Sequence, residues 1–516
     1  MAETKKKSTT KVSSSVKKTT NATTKTTAKT IKTGKLPDIM VENKKKIIFL
    51  GSEAAPFIAT GGLADVLGSL PKALAQNNAN DVSVILPLYS NIKDEFRSKF
   101  TFITNFNVSV AWRHQYCGVF YYEYQGVKFY FLDNEYYFKR EGNIYGFFDD
   151  GERFAFFSRA ALDTIARLDI YPDILHCNDW QTAGSIIYLK GMYYGDPKFS
   201  KIKTIFTIHN IEYQGIYDMS TFEELFGFPQ SIRSFVEFDS CVNLMKGAIE
   251  MTDILSTVSP TYAEEIKIPF YAHGLDGIIN RNAHKLVGIL NGIDYDFYNP
   301  KTDNYLFANY SKTNLSGKAK CKEELQKLLG LPVRSDVPIV AIISRLVAHK
   351  GLDLVKAVIE DFLSNDVQVV ILGKGENVYE EFFSYIASRY NGKCSTIIAY
   401  NQDLSRKIYS GADIFLMPSK SEPCGLSQMI ASRYGTVAVV RETGGLNDSI
   451  SSFDGIAQGN GFTFKNYNAH DMLYTLNRAV YTYSQKDVWK KVQKNAFNSD
   501  FSWNGLASKY EEIYNK

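Results

Sequence analysis

The sequence has no long hydrophobic run. Its apolar stretches, such as residues 367–372 and 436–440, are only as long as a β-strand. A membrane-spanning helix needs about 18–20 apolar residues in succession. We therefore expect no membrane-spanning segment and no membrane partner.

Residues that bind metals or form disulfides are also few. The chain has six cysteines and seven histidines, with no C-x-x-C and no H-x-x-x-H spacing. Zinc sites and disulfide frameworks depend on such spacings or on dense cysteine. We predict free thiols in a reducing compartment, no metal ligand and no cofactor. The cysteines are Cys117, Cys177, Cys241, Cys321, Cys394 and Cys424.

Positive charge is concentrated in the first 40 residues. This segment holds ten lysines and no arginine against Glu3 and Asp38, so the net charge of +4 becomes −4 for the rest of the chain. With almost no large apolar residue, it is predicted to be a disordered extension. A basic tail that binds nucleic acid or an anionic membrane is the alternative, but we predict that no nucleic acid is required.

The same segment bears on localisation. It lacks the apolar centre of a secretory signal. Its shortage of acids and its many serines and threonines are typical of plastid transit peptides, but its lack of arginine is not. We expect a cytoplasmic protein in a bacterium, with a plastid as the less favoured alternative.

The length of 516 residues predicts two large domains, because one core rarely exceeds about 250–300 residues. Short apolar runs alternate with amphipathic stretches such as 64–76 and 152–168, which indicates an α/β fold of two doubly wound parallel sheets. The first series of predicted strands is 46–51, 81–88, 128–132, 173–176, 203–208, 253–258 and 286–290, and the second is 338–343, 367–372, 395–398, 414–417 and 436–440.

Polar and glycine clusters follow several strands of the first series. Open parallel sheets bind ligands beyond the carboxyl ends of their strands. Gly61 and Gly62 suit the close approach of an anion or a sugar, or form only a tight turn. Asp179 and Trp180 suit a sugar, although Asp179 is equally a helix N-cap. His209 opens a polar run after a strand, but a lone histidine is often structural.

The second series carries a different chemistry. Arg345 and Lys350 lie five residues apart in a glycine-ended loop, which suits a diphosphate, although a solvated basic loop is the alternative. Glu422 is the one strong carboxylate that we find in these loops. Thr443-Gly444-Gly445 repeats the Thr-Gly-Gly design of the first series. We expect the two sets of loops to face each other across a cleft.

Taken in order, these motifs resemble glycosyltransferase family five, the bacterial glycogen synthases and plant starch synthases. The resemblance covers residues 45–516 and excludes the tail. The motifs are Thr60-Gly61-Gly62-Leu63-Ala64-Asp65-Val66, Asn178-Asp179-Trp180, Thr207-Ile208-His209-Asn210, Tyr213-Gln214-Gly215, Asn291-Gly292-Ile293-Asp294, Ser344-Arg345-Leu346, Lys350-Gly351-Leu352-Asp353, Glu422-Pro423-Cys424-Gly425-Leu426, Thr443-Gly444-Gly445-Leu446 and Asp500-Phe501-Ser502-Trp503.

The resemblance implies a GT-B fold, with two Rossmann-like domains facing across a cleft. An acceptor-side domain would span 45–292, a nucleotide-sugar domain 293–495, and a C-terminal helix within 496–516 would pack back on the first domain. The implied reaction moves glucose from ADP-glucose to an α-1,4-glucan such as glycogen, with retention of configuration.

The resemblance also implies residue roles. Tyr400 would stack on adenine, Glu422 would hold glucose hydroxyls, and Arg345 and Lys350 would neutralise the diphosphate. The implied catalytic residues are His209, Arg345, Lys350 and Glu422. The implied donor-binding residues are Gly61, Gly62, Tyr400, Cys424, Gly425, Thr443, Gly444 and Gly445. Those on the sugar and acceptor side are Asp65, Tyr145, Asp179, Trp180, Asn210, Tyr213 and Gln214.

One departure from the family stands out. Ala59 occupies the position before Thr-Gly-Gly-Leu at which the family has lysine. A glucan-binding protein without turnover is therefore one alternative, and another retaining transferase of similar fold, sucrose-forming or phosphorylase-like, is a second. The intact His209, Arg345, Lys350 and Glu422 favour an active glucan synthase.

Overall fold

The computed structural model describes residues 44–516, so the predicted tail at 1–40 lies outside the described residues. Two sheets with parallel centres organise this part of the chain, one between residues 45 and 288 and the other between 339 and 464. In 44–516 no helix combines the length and the apolar character that crossing a membrane requires.

The first sheet has nine strands, and a small antiparallel sheet of three strands lies beside it. The strands are β1 (Lys45–Leu50), β2 (Asn80–Pro87), β3 (Thr101–Val110), β4 (Arg113–Tyr124), β5 (Val127–Asp133), β6 (Ile174–Asn178), β7 (Lys203–Ile208), β8 (Ile216–Asp218), β9 (Glu237–Phe238), β10 (Cys241–Asn243), β11 (Ile254–Thr257) and β12 (Leu286–Gly288). The order in the large sheet is β12-β11-β7-β6-β1-β2-β5-β4-β3, and in the small sheet β8-β10-β9.

The hairpin of β3 and β4 is absent from the sequence-based prediction. These strands pair antiparallel with each other, and β4 pairs antiparallel with β5. Residues of β3 alternate between exposed and buried, because one face of this sheet edge meets solvent. A search for continuous apolar runs finds buried parallel strands and misses such alternation.

Eleven α-helices accompany the first sheet in the described residues. Of these, α1 begins at Gly62, the second glycine of the pair, and Ser259 caps α9 by accepting a hydrogen bond from the Tyr262 amide at 3.1 Å. The helices are α1 (Gly62–Ala75), α2 (Asp94–Arg97), α3 (Glu135–Phe138), α4 (Asp150–Arg167), α5 (Trp180–Met192), α6 (Thr221–Glu224), α7 (Arg233–Val236), α8 (Leu244–Met251), α9 (Pro260–Glu265), α10 (Pro269–Ala272) and α11 (Asp276–Arg281).

The second sheet has six strands, all parallel, in the order β15-β14-β13-β16-β17-β18. They are β13 (Ile339–Ile343), β14 (Gln368–Gly373), β15 (Cys394–Ile398), β16 (Ile414–Met417), β17 (Val437–Arg441) and β18 (Gly461–Phe464). The helices that follow the first half are α12 (Ser316–Leu328), α13 (Leu352–Leu363), α14 (Asn377–Arg389), α15 (Gln402–Gly411), α16 (Ser427–Arg433), α17 (Gly444–Ser449), α18 (Ala469–Ser484), α19 (Lys486–Asn498) and α20 (Trp503–Tyr514).

Each sheet has one point at which the strand order reverses. In the first sheet it lies between β1 and β6, and in the second between β13 and β16. Ligands of open α/β sheets bind at the carboxyl ends of the strands beside this point. The loops concerned are 51–61 and 179 in the first half, and 344–351 and 418–426 in the second.

The last helix, α20, is attached to the first sheet. The buried Tyr514 hydroxyl is hydrogen-bonded to His176 Nδ1 at 2.9 Å, and His176 Nε2 lies 2.6 Å from Thr207 Oγ1. Burial, with a smaller effect from His209, lowers the pKa of His176 to about 3. The imidazole is therefore neutral, and its two nitrogens connect the C-terminal helix to the β6–β7 region.

Candidate active site

The loops of the two halves meet across a cleft. A Cβ added to Gly62, at the start of α1, would lie 3.6 Å from Leu426 Cδ1, in the loop after β16. Ser259 Oγ of the first half donates to the carbonyl oxygen of Pro423 at 2.6 Å. The ends of both sheets thus form one site.

Two cations follow β13 in different environments. Arg345 is exposed, and its guanidinium has no hydrogen bond or ion pair with the residues in 44–516. Lys350 is partly buried, and its Nζ donates to Glu422 Oε2 at 2.7 Å. The site therefore holds one free and one fixed positive charge at the carboxyl end of the sheet, an arrangement suited to a diphosphate.

Glu422 is buried, and only one of its two carboxylate oxygens accepts hydrogen bonds from the described residues. Lys350 Nζ and Ser419 Oγ both donate to its Oε2, at 2.7 and 2.9 Å. Its Oε1 receives no hydrogen bond from the part of the chain that the structure describes. This oxygen can accept the hydrogen of a sugar hydroxyl while the other keeps the carboxylate in place.

The Thr443–Gly445 turn supports the loop of Glu422. Gly444 has φ of +43°, and a Cβ there would collide with the carbonyl oxygen of Glu422. The Thr443 hydroxyl and the Gly444 amide both donate to Glu265 Oε1, at 2.8 and 3.0 Å, and the Gly445 amide donates to the loop. These donors are already paired within the protein, and a direct contact with a nucleotide stays a prediction.

The residues after Glu422 form a tight turn. Cys424 is buried, and burial raises the pKa of its thiol to about 12, so the sulfur is a neutral packing group. Gly425 has φ of +70°, and a Cβ there would lie 2.6 Å from Gln428 Oε1. Their contribution to a ligand would come from backbone groups.

Asp179 has an unusual backbone and an unexpected side-chain partner. Its φ of +56° with ψ of 178° is strained for a residue with a Cβ, and such strain clusters at functional sites. The side chain does not cap α5, so the capping interpretation is wrong. Its Oδ1 accepts from the His209 amide at 2.7 Å and from the Asn210 amide at 3.4 Å. Burial raises the pKa of Asp179 to about 7, and the charge of Glu53 adds to the rise, although the two hydrogen bonds lower the pKa.

His209 presents a neutral imidazole. The Asn178 amide nitrogen donates to the carbonyl oxygen of Leu50 at 3.0 Å, which turns Asn178 Oδ1 toward His209 Nε2 at 2.9 Å. Nε2–H therefore donates, and Nδ1 keeps a free lone pair. Burial lowers the pKa of His209 to about 3, so this acceptor persists at neutral pH.

Four further predicted residues keep contact with solvent. Tyr145 is partly exposed, and its hydroxyl lies 2.6 Å from Ser52 Oγ in the loop after β1. Asn210 is partly exposed, and Tyr213 is about half exposed. Tyr400 follows the edge strand β15 and is 79% exposed, so one face of its ring is free to stack.

Trp180 and Gln214 differ from the prediction that they face a sugar. Trp180 is buried against Phe154, with ring centroids 5.2 Å apart, and Gly215 lies against its ring. Gln214 is buried, and both N–H groups of its amide are used by the carbonyl oxygens of Ile211 and His273. Trp180 begins helix α5 and Gln214 lies in the loop before β8, but both side chains turn inward, so neither offers a free surface.

Sequence reasoning missed two polar groups. Glu53 lies three residues beyond β1 and is buried, and its Oε2 accepts from the amide and hydroxyl of Thr60. Asn291 lies shortly after β12 and beside Cys424, and its buried Oδ1 has no partner among residues 44–516. Both follow strands, so the position rule that found Asp179 could also have found them. The described residues contain no cluster of three or more potential metal ligands.

Asp65 gives the site a pH dependence. Burial and the charges of Glu53 and Asp294 raise its pKa from 3.8 to about 7. The folded protein then keeps a proton that the unfolded chain releases, so stability falls as pH rises from about 4 to about 7. We expect Asp65→Asn to raise the melting temperature clearly more at pH 8 than at pH 5. Differential scanning fluorimetry measures both values.

Asp487→Asn is the control for that experiment, because Asp487 is 95% exposed and pairs only with Lys490. It should change the melting temperature equally little at both pH values. An Asp65→Asn effect of the same size at pH 5 and pH 8 would show that the carboxyl does not titrate in this range.

Two family models match the chain. Residues 46–281 match the starch synthase catalytic domain, and residues 330–496 match the glycosyl transferases group 1 model. The glycogen synthase of Desulforamulus reducens is 48% identical over 91% of this chain and 98% of its own length. The glycogen synthase of Clostridium acetobutylicum is 50% identical over 91% of this chain and 99% of its own.

Solved structures agree with these matches. The catalytic domain of starch synthase IV from Arabidopsis thaliana, bound to ADP and acarbose, is 34% identical, with a TM-score of 0.85 over 92% of this chain and 99% of its own. A sucrose-phosphate synthase from Thermosynechococcus elongatus is 15% identical with a TM-score of 0.57, which shows the fold alone. The predicted α/β fold of GT-B type is confirmed.

Proposed function

The chain belongs to the family of glycogen synthases and starch synthases, retaining glycosyltransferases, and from this premise we propose that it transfers glucose from ADP-glucose to the non-reducing end of an α-1,4-glucan. One observation carries the proposal. The free Arg345 and the Lys350–Glu422 pair lie at one sheet end, and Asp179 and His209 lie at the sheet end facing it. We propose that this reaction takes place in the cytoplasm of a bacterium, since the glycogen synthases above come from bacteria.

In this proposal 45–292 forms the acceptor-side domain and 293–495 the nucleotide-sugar domain, and the 496–516 segment, which includes α20, belongs with the first. Support comes from the two separate sheets and from the hydrogen bond between Tyr514 and His176.

The donor would lie on the second half. Arg345 and Lys350 would neutralise the diphosphate, since a planar fork and a point charge together match several phosphate oxygens. Adenine would stack on the exposed ring of Tyr400. The related starch synthase IV domain binds ADP, which favours an adenine nucleotide here.

The sugar would lie between Glu422 and His209. Glu422 Oε1 and His209 Nδ1 are both free acceptors for hydroxyl hydrogens. Asp179 would hold His209 in position through its backbone amide. The acceptor chain would approach over Tyr145, Asn210 and Tyr213, with Asp65 near the glycine loop.

The reaction would proceed on one face of the sugar. The acceptor 4-hydroxyl oxygen forms a bond to C1, and the bond from C1 to the β-phosphate oxygen breaks with its electron pair leaving on phosphate. The departing phosphate oxygen takes the hydroxyl proton, so charge balances and configuration is retained. Arg345 and Lys350 stabilise the negative charge that develops on the diphosphate.

The donor preference is directly testable. We expect the purified protein to transfer radiolabelled glucose to glycogen faster from ADP-glucose than from UDP-glucose. Tyr400→Ala should raise KM for ADP-glucose, because base–aromatic stacking is worth about 1–3 kcal/mol, and Tyr400→Phe should not. Equal or faster transfer from UDP-glucose would exclude the adenine preference, and no transfer from either donor would exclude the function.

Ala59 leaves room for a further cation. It is exposed in the loop before Thr60, and the Thr60 amide is held by Glu53. A lysine here would bring a mobile charge to the phosphate side of the cleft. We expect Ala59→Lys to raise kcat/KM for ADP-glucose by about 5–30-fold, if the added hydrogen bond contributes about 1–2 kcal/mol.

Steady-state kinetics with varied ADP-glucose measure this effect. Ala59→Met is the control, because it adds an unbranched chain of similar reach without charge, and it should leave kcat/KM unchanged. A gain in both variants would point to packing, and a loss in both would mean that the loop has closed around Ala59.

A further inference from the structure

Helix α9 of the first half is hydrogen-bonded to the second half, both to the loop after β16 and to the start and middle of α17. At its start, Ser259 Oγ donates to the carbonyl oxygen of Pro423 at 2.6 Å. In its middle, the amide and hydroxyl of Thr261 donate to the carboxylate of Asp448 at 2.8 and 2.6 Å. At its end, Glu265 accepts from the turn that precedes α17.

Glu265 is an energetically unfavourable residue for the buried end of α9. It is only 9% exposed, its Oε1 accepts from Thr443 Oγ1 and Gly444 N, and its buried Oε2 has no partner among the described residues. A buried carboxylate with an unbonded oxygen is unfavourable. Burial raises its pKa, the two bonds and Arg441 oppose the rise, and Asp448 adds to it. Packing alone would favour an apolar side chain.

The contact between Glu265 and the second half is linked to Glu422 through the Thr443–Gly445 turn. Gly444 lies so close to the carbonyl oxygen of Glu422 that no Cβ fits between them. The Gly445 amide donates to the carbonyl oxygens of Glu422 and Pro423, at 3.2 and 3.1 Å. A shift of this turn would therefore move the backbone of Glu422 and, with it, the carboxylate that holds Lys350.

We propose that Glu265 is a positioning residue that fixes the sugar-holding Glu422 loop from the opposite half of the molecule. The proposal rests on the proposed function for the identity of the sugar site. Glu265 itself touches no substrate. Its Oε1 holds the Thr443–Gly445 turn, the turn holds the backbone of Glu422, and the loop is ordered only while the first half stands in place.

The test compares three variants of the full chain. Glu265→Ala removes both bonds to the turn and should lower kcat by about tenfold, with KM for glycogen little changed. Glu265→Gln keeps an acceptor oxygen and should stay within about threefold of the parent. Thr261→Val is the matched control, since it removes the Thr261 hydroxyl bonds to Asp448 and Asn447 across the same helices but leaves the turn intact. It should keep the parental kcat.

Hydrogen exchange of residues 419–427 in the donor-free protein gives a second readout, which does not depend on transfer. Glu265→Ala should speed exchange in this segment, and Thr261→Val should not. The proposal is overturned if exchange is unchanged in Glu265→Ala, if its kcat stays within twofold of the parent, or if Thr261→Val loses as much activity. An inactive parent would remove the proposed function, and the exchange data would still decide the role of Glu265.

Discussion

Replacing Arg345 with alanine should lower kcat by about 10²–10³-fold and leave the melting temperature unchanged. The guanidinium is exposed and has no partner among residues 44–516, so its loss removes no contact of the folded protein. In the proposed reaction, its charge would face the negative charge that builds on the departing diphosphate. One preorganised contact of this kind contributes about 10²–10³-fold in rate.

Arg389→Ala is the matched control. Arg389 is about half exposed, is paired with Glu360, and lies at the end of α14, which connects the parallel strands β14 and β15 and so ends near their amino ends, away from the site. Its loss should leave kcat unchanged. Steady-state and single-turnover kinetics, together with thermal melts, distinguish the effects of the two substitutions. An Arg345→Ala protein with kcat within threefold of the parent would exclude the diphosphate role.

The parallel parts of the fold are predictable from sequence because burial on both faces leaves continuous apolar runs. The runs at 46–51, 203–208 and 367–372 became β1, β7 and β14 with shifts of one residue or less. The hairpin of β3 and β4 lies at a sheet edge with one face in solvent, so it carries no such run. Strand β18 (Gly461–Phe464) alternates a glycine and a threonine with two phenylalanines, so it also lacks a continuous apolar run.

Site residues are predictable where backbone position decides their role. Asp179 and Arg345 follow β6 and β13, which lie beside the points where strand order reverses, and His209 follows β7, the next strand to β6. A rule based on position after a strand does not predict the direction of the side chain. Trp180 follows a strand as closely as Asp179, yet its ring turns into the core against Phe154. Contacts between halves are equally hidden, since Glu265 and Gly444 lie 179 residues apart.

Replacing Glu422 should have the second large effect on kcat. Variants of its partner Lys350 allow the causes of that effect to be separated. Glu422→Ala removes the proposed hydrogen-bond acceptor for sugar hydroxyls, and hydrogen bonds to charged groups contribute about 1.5–3 kcal/mol each. It also leaves a largely buried ammonium without its carboxylate. We expect kcat to fall by about 10²-fold or more and the melting temperature to fall with it. Glu422→Gln keeps the shape and an acceptor oxygen, so its loss should be smaller.

A double-mutant cycle with Lys350→Ala separates the two causes. Groups in direct contact couple, so their single effects do not add. Removing both members of the pair leaves no unpaired charge, and Lys350→Ala/Glu422→Ala should therefore melt above Glu422→Ala. The activity of the double variant should nevertheless stay at or below that of the weaker single variant. It lacks both the carboxylate proposed to bind the sugar hydroxyls and a cation proposed to bind the diphosphate. If the double variant recovered activity along with stability, Glu422 would serve only to balance the charge of Lys350, and the sugar role would be wrong.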